Sequence, residues 1–375
     1  LCLMFSIVFT FGNVTTVSAN NTTYYVSTSG SDSNSGTSTS APWKTLAKVN
    51  GYSFAPGDRI LFKSGDTWSG QLSIHSSGTE GSPITFGAYG SGNKPLFNGG
   101  GIAATVLLSN VDYVTVQGLA VTNYDNADIF DGVEANRDGI KISGSCSNIT
   151  IKSNEIYYVE GFSNHPEIGS PRGTSLNAKE YNQYFTGAIY QNGAPSENFL
   201  IDGNYIHDNT CNGILTTFVS RGLKISNNTV SNVGVDGIEY WNSTAPLIEY
   251  NSVTYAGNND ASNRLPNVLG YRGMAVCGIW GIVNSDQVVQ YNYCANTKRI
   301  TWDGQPWDFD YETVRGVYQY NFSRDNEGGF MLVVEPGMAA RYNISYNDGT
   351  NQAYDNQGFF QKCDYYNNVF YQNNG

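Results

Sequence analysis

A parallel β-helix is the fold that this sequence predicts, and three observations predict it. One phrase, a small polar residue followed by Gly, an apolar residue and a β-rich run, recurs from residue 138 onward. A second phrase, an apolar-rich strand followed by Asn, keeps step with the first. The leucine spacing of leucine-rich repeats and the long 3.6-residue periods of helical repeats are both missing.

The first phrase reads DGIKI at Asp138, NGILT at Asn212, DGIEY at Asp236, CGIWG at Cys277, DGQPW at Asp303, EGGFM at Glu327 and QGFFQ at Gln357. Its glycines Gly213, Gly237, Gly278, Gly304 and Gly328 are 24, 41, 26 and 24 residues apart. The second phrase places Asn154, Asn204, Asn228, Asn251, Asn292, Asn321, Asn343 and Asn367 at the ends of short strands. Asn tolerates the left-handed backbone of a sharp corner, and stacked amides bond from coil to coil. Two phases at such spacing describe a solenoid in which stacking, rather than any single coil, supplies the buried core.

In chain order, residues 1–19 read as a secretory leader, with an apolar run from Leu1 to Phe11 and Ala19 as the last residue removed. The run is too short to span a bilayer. The initiator Met and a basic leading segment are missing, so the sequence is expected to start inside its leader. Residues 20–58 are read as an N-terminal strand, a loop and a short amphipathic helix over 41–50 that covers the open end of the solenoid. The β-helix is assigned to 59–375. RILF at Arg59, PITF at Pro83 and TVLL at Thr105 are 24 and 22 residues apart and fit the same coil length. Insertions over 164–185 and 255–276 are expected to wall one face, bringing His165, Arg172, Lys179, Arg264 and Arg272 towards it. The chain stops mid-repeat in NNVFYQNNG, where C-terminal truncation is expected.

Composition narrows the function. A net charge of −12 with 14% charged residues is not that of a nucleic-acid binder, and 40% hydrophobic residues exclude disorder. An exported, soluble, monomeric protein acting on neutral carbohydrate suits this surface, with neither membrane nor nucleic acid as a partner. Past the leader's Cys2 there are five cysteines, Cys146, Cys211, Cys277, Cys294 and Cys363, with no CxxC spacing. They are expected as buried apolar side chains rather than a zinc or disulfide framework. His75 and His207 carry no motif.

The opening YYVSTSGSDSNSGTSTSAPWKTL, with PGDRILFKSGDTWSG and GSPITFGAYG, resembles right-handed parallel β-helix carbohydrate enzymes of the pectate-lyase-like superfamily. DGQPWDFD with YQYNFSRDNEGGFML resembles a stretch of exported β-helix proteins related to glycoside hydrolases. The resemblance spans nearly the whole chain past the leader. It implies a right-handed β-helix and a polysaccharide or oligosaccharide substrate, within a superfamily that contains hydrolases, lyases, epimerases and binding proteins.

Aligning the first phrase between successive coils puts Asp303 and Glu327 in one column, with carboxyls roughly 5 Å apart, the separation a retaining glycosidase needs. Turn chemistry is the competing reading, because Asp138, Asn212 and Asp236 fill the same column. A second pair, Asp308 and Asp310, shares a strand face at about 7 Å, nearer the inverting separation. If Ile238 and Ile279 point inward, Glu239, Trp280 and Phe330 point outward at one position, and Trp241, Asp308 and Leu332 two residues on. Trp241, Trp280 and Phe330, near Trp307, would give sugar rings a stacking platform.

A glycoside hydrolase working through a carboxylate pair, without an organic cofactor, is therefore the expected activity. A lyase would use a base and a cation from Lys298, Arg299, Arg315 and Arg324 near the acidic coils, with Arg324 also placed to contact substrate. The clustered acids leave calcium open, although no compact group of three or four aspartates stands at ligand spacing. A noncatalytic glycan-binding β-helix is the third reading.

Overall fold

The computed structural model describes residues 21–125, 136–161, 185–258, 275–299, 302–349, 354–355 and 363–373. The leader with its cleavage site, most of both insertions with their His and Arg residues, and the phrase at Gln357 lie outside the described residues. Among the described residues the chain winds through three parallel sheets of 12, 10 and 11 strands. Each coil gives one strand to each sheet, as in the run Val219–Ser226, Thr229–Val233 and Ile238–Trp241. This is a parallel β-helix, filled by columns such as Ile140, Ile189, Ile214, Ile238 and Ile279, all fully buried. No helix among the described residues is long and apolar enough to cross a membrane.

The helix is shorter than expected, covering Leu46–Asn50. Thr45 begins it, its hydroxyl accepting the Lys48 amide at 3.1 Å, as an N-cap should. Leu46 and Val49 are buried in the core, and Asn50 donates to the Gln71 carbonyl and accepts from the Ser73 amide. Those backbone groups flank and belong to Leu72–Ile74, the end strand of the 10-stranded sheet. The first coils differ from their expected alignment. Arg59–Lys63 pairs with Ile84–Tyr89, but the next strand of that sheet is Asp112–Gln117. TVLL lies in Ala104–Ser109 of the 10-stranded sheet, because two strands with similar apolar patterns follow each other across one corner.

The asparagine ladder is continuous. From Asn154 through Asn204, Asn228, Asn251, Asn292, Asn321 and Asn343, each backbone amide donates to the side-chain carbonyl of the asparagine one coil on, at 2.9–3.0 Å. Each Nδ2 donates to that same oxygen, and also to a strand carbonyl such as Ile225 O for Asn251. The last member is Asn368, not Asn367.

The left-handed corner falls one residue before each ladder asparagine: Ser153, Gly203, Asn227, Tyr250, Tyr291, Tyr320, Tyr342 and Asn367 all have φ between 54° and 63°. The asparagines therefore serve through their amides. A left-handed residue other than glycine costs about 1–2 kcal/mol. At four successive corners tyrosine rings offset part of this by stacking: Tyr250, Tyr291, Tyr320 and Tyr342 lie 5.1, 5.1 and 5.2 Å apart with planes within 8°.

Candidate functional site

The site sits on the outer face of the 10-stranded sheet, where strands Asn212–Thr216, Ile238–Trp241, Ile279–Ile282, Trp307–Phe309 and Met331–Val333 lie side by side. Ile214, Ile238, Ile279, Trp307 and Met331 form one register column and belong to the core. Strand alternation turns the next column outward. It reads Leu215, Glu239, Trp280, Asp308 and Leu332, none of them part of the core cluster. Asp310 follows Asp308 by two residues, on the same face.

Five carboxyls meet here. Asp236, Glu239 and Asp308 are buried, whereas Asp303 and Asp310 remain partly exposed. Burial pushes Asp236 up to about 8, against the Cys277 amide that donates to it and with the Asp303 charge nearby. Burial also raises Asp310 to about 7, opposed by its hydrogen bond from the Tyr311 amide at 2.7 Å and helped by Asp303 and Glu335. Asp308 is raised well above the carboxylate range by burial, then by Asp310, Asp303 and Asp236. Glu239 is raised likewise by burial and by Asp236, although the Trp241 indole donates to its Oε1 at 2.7 Å. Like charges this close cannot all ionise, so protons stay on the enclosed members while Asp310 titrates near neutrality. Trp280 and Trp241 are partly exposed beside them, and Phe185 stands edge-on to Trp241 at 5.2 Å.

Asp303, Asp308, Asp310, Glu239, Trp241 and Trp280 are thus brought together, and four other residues expected at the site are not. Glu327 follows Asp303 along the backbone, the Gly328 amide donating to Gly304 O at 2.9 Å, but its side chain turns away to Lys298. Asp303 is in register with Val276, while the Glu327 amide bonds to Thr297 O. Burial tends to raise Glu327, but Lys298 Nζ at 2.8 Å and the Arg299 amide at 2.9 Å outweigh it and hold the carboxyl below its ordinary value. Neither Asp303 nor Glu327 continues the Asp236 column: the residues in register with Asp236 are Cys277 and Gln305, so DGQPW starts two residues early, at left-handed Asp303 and Gly304.

Trp307 is fully buried and points into the core, as is Phe330, which packs edge-on against Phe370. Arg324 belongs to the 11-stranded sheet and pairs with Asp325 at 2.7 Å. Phe330 lies two residues before the outward column, because Glu239 is in register with Leu332, through Trp280 and Asp308.

The sequence reading left out Cys277 and Gln305 and gave Asp236 only a corner role. Asp236 does serve the corner: its amide donates to Asn212 Oδ1 and its Oδ1 accepts from Cys277. It reaches the site because Gly237 and Ile238 carry the strand directly on to Glu239, a link visible in DGIEY. Cys146, Cys211, Cys277 and Cys294 are buried as expected. Among the described residues no group of three or more His, Cys, Asp or Glu is arranged to hold a metal.

A scan against family models finds no match. The chain is 28% identical over 422 residues to a lacto-N-biosidase of Bifidobacterium longum subsp. longum, covering 89% of this chain and 26% of that protein. It is 29% identical over 230 residues to the uncharacterized protein YwoF of Bacillus subtilis, covering 58% of this chain and 43% of that one. The chain therefore spans under half of either relative. The crystal structure of a GH136 lacto-N-biosidase from Eubacterium ramulus superposes with a TM-score of 0.75 at 22% identity, over 94% of this chain and 68% of that one. That likeness establishes the shared β-helix fold.

Proposed function

We propose that this chain is the β-helix of a glycoside hydrolase of the lacto-N-biosidase kind, cleaving an oligosaccharide with Asp303 and Asp310 as its carboxyl pair. One observation carries the reading: Asp303 acts on Asp310, and both keep accessible surface beside the buried Asp236, Glu239 and Asp308. Asp310, raised to about 7 by burial and further by the Asp303 charge, keeps a proton near neutrality. The protonated member can then donate to the departing glycosidic oxygen while the ionised one attacks or activates water. The half-buried Trp241 and Trp280 supply apolar faces for a sugar ring, and similarity to a lacto-N-biosidase along 89% of the chain supports the substrate class.

The lyase alternative has less support. Three of its candidate cations are engaged elsewhere: Lys298 with Glu327, Arg315 with Asp286 and Arg324 with Asp325. Export is part of the proposal and rests on the apolar leader. N-terminal sequencing of secreted protein starting at Asn20 would bear on it.

The test is hydrolysis of p-nitrophenyl lacto-N-bioside, followed by a glycan panel. Wild type should release nitrophenol, and Asp303→Asn and Asp310→Asn should each lose at least about a hundredfold in kcat with the fold retained. Azide should rescue the variant lacking the nucleophile if configuration is retained. A wild-type rate in either variant overturns the pair. Unsaturated product would move the assignment to a lyase, and no product from any glycan would favour simple binding.

A further inference from the structure

Asp308 is the least satisfied carboxyl on this face. Its Oδ1 is enclosed and has no hydrogen-bond partner, and its Oδ2 has the Cys277 thiol at 4.0 Å, with the Phe309 amide also bearing on the carboxyl. An enclosed polar atom left this way costs roughly 1–3 kcal/mol, so its persistence in a fold asks for a cause. Two neighbours share the condition. Gln305 Oε1 is also enclosed without a partner, and the enclosed Trp280 Nε1 leans towards Asp236 without completing a hydrogen bond. Trp280 is the register partner of Asp308 on the adjacent coil, and Gln305 lies three residues before it. One donor and two oxygen acceptors thus stand unused on adjoining positions, next to Asp310.

Resting on the glycosidase reading, we propose that Asp308 is a sugar-contacting residue whose Oδ1, flanked by Gln305 and Trp280, holds a hydroxyl of the bound sugar beside the Asp303–Asp310 pair. A sugar hydroxyl both donates and accepts, which matches an indole N–H, an amide carbonyl and a carboxyl set side by side. Asp308 is not the second member of the catalytic pair, because its surroundings keep it neutral. Asp310 on its own strand, Asp303 and Asp236 surround it with negative charge, and the Cys277 thiol beside it stays protonated for the same reasons. The buried Tyr240 and Tyr318 lie behind it, and Leu332 closes the next coil. Among the described residues, the main influences on it include no cation. A neutral carboxyl donates to the hydroxyl and leaves the ionic work to its neighbours.

The experiment compares Asp308→Asn and Asp308→Ala with wild type on p-nitrophenyl lacto-N-bioside, reading kcat and KM across pH. The amide keeps both shape and a donor, so Asp308→Asn should stay within about threefold of wild-type kcat/KM with an unmoved pH profile. Asp308→Ala should lose at least about tenfold. An infrared difference spectrum, wild type minus Asp308→Asn, should contain a protonated-carboxyl band that shifts when the glycoside is added. Equal losses in both variants with a displaced pH profile would overturn the proposal by making Asp308 an ionised participant. An unchanged kcat/KM in Asp308→Ala, or no protonated band, would overturn it too. A wild type inactive on every glycoside removes the glycosidase reading and this proposal together, whereas an active wild type with indifferent variants removes this proposal alone.

Discussion

Lys298 Nζ lies 2.8 Å from Glu327 Oε1, one coil apart, while the amide of Arg299 holds the other carboxylate oxygen at 2.9 Å. Both side chains are nearly half exposed, at 43% and 45%. An ion pair in that setting contributes at most about 1 kcal/mol. Glu327→Gln should therefore hydrolyse glycoside at the wild-type rate and unfold within about 1 kcal/mol of wild type in urea. A hundredfold loss of kcat in that variant would return Glu327 to the catalytic pair.

On the proposed mechanism, Asp310 should set the alkaline side of the rate profile. Its proton is held up to about 7 by burial and by Asp303, so a mechanism that needs one proton on the pair should lose kcat/KM as pH rises through about 7. Replacing Asp303 by Asn removes a charge that raises Asp310, and the residual activity should then fall off at lower pH. Titration of residual kcat/KM in that variant checks the sign, and a shift to higher pH would contradict the arrangement.

Asp236 makes the protein less stable as pH rises. Its folded value of about 8 lies above the unfolded value near 4, so the folded state binds more protons between those limits. The stabilisation is complete below about pH 4 and lost progressively up to about pH 8. Asp236→Asn keeps a carbonyl to accept the Cys277 amide and resembles Asn212 in the same column. It should match wild type near pH 4 and exceed it at pH 8, as read from urea midpoints. A variant less stable at pH 8 would show that the carboxyl is ionised and paired there.

Asn251 tests the ladder. Its side chain accepts from the amide and Nδ2 of Asn228 and donates to Ile225 O and Asn292 Oδ1, all buried. Asn251→Ala strands several of these groups and should cost about 3 kcal/mol or more, each orphan contributing about 1–3 kcal/mol. A loss below 1 kcal/mol would mean that the coils hold together without it.

Much of the fold was legible because a solenoid repeats its instructions. The ladder from Asn154 to Asn343 could be read one residue at a time, since the same amide serves each coil. What the repeat hid was phase. DGQPW looks like DGIEY, yet Asp303 and Gly304 insert a left-handed step that moves Gln305, not Asp303, into register with Asp236. A shift of two residues leaves each side chain on its face, so alternation gives no warning of it, but it moves Asp308 from the Trp241 position to that of Glu239. Glu327 was misdirected for a different reason: its neighbour in space, Lys298, comes from the coil before, beyond reach of pattern. The acids were found because carboxyls this dense are unusual, whereas their protonation depends on burial that only packing reveals.

The ladder bond from Asn228 to Asn251 closes over 23 residues and the next, from Asn251 to Asn292, over 41, yet both measure 3.0 Å. A surplus of 18 residues leaves the rise between coils untouched. The frame of this chain is therefore indifferent to the length of what its corners carry. Corner excursions can lengthen, shorten or be exchanged while the frame beneath keeps its pitch. Diversification of such a molecule would be expected to proceed by trading loops at those corners, with whole coils as the smallest unit by which the frame itself could grow.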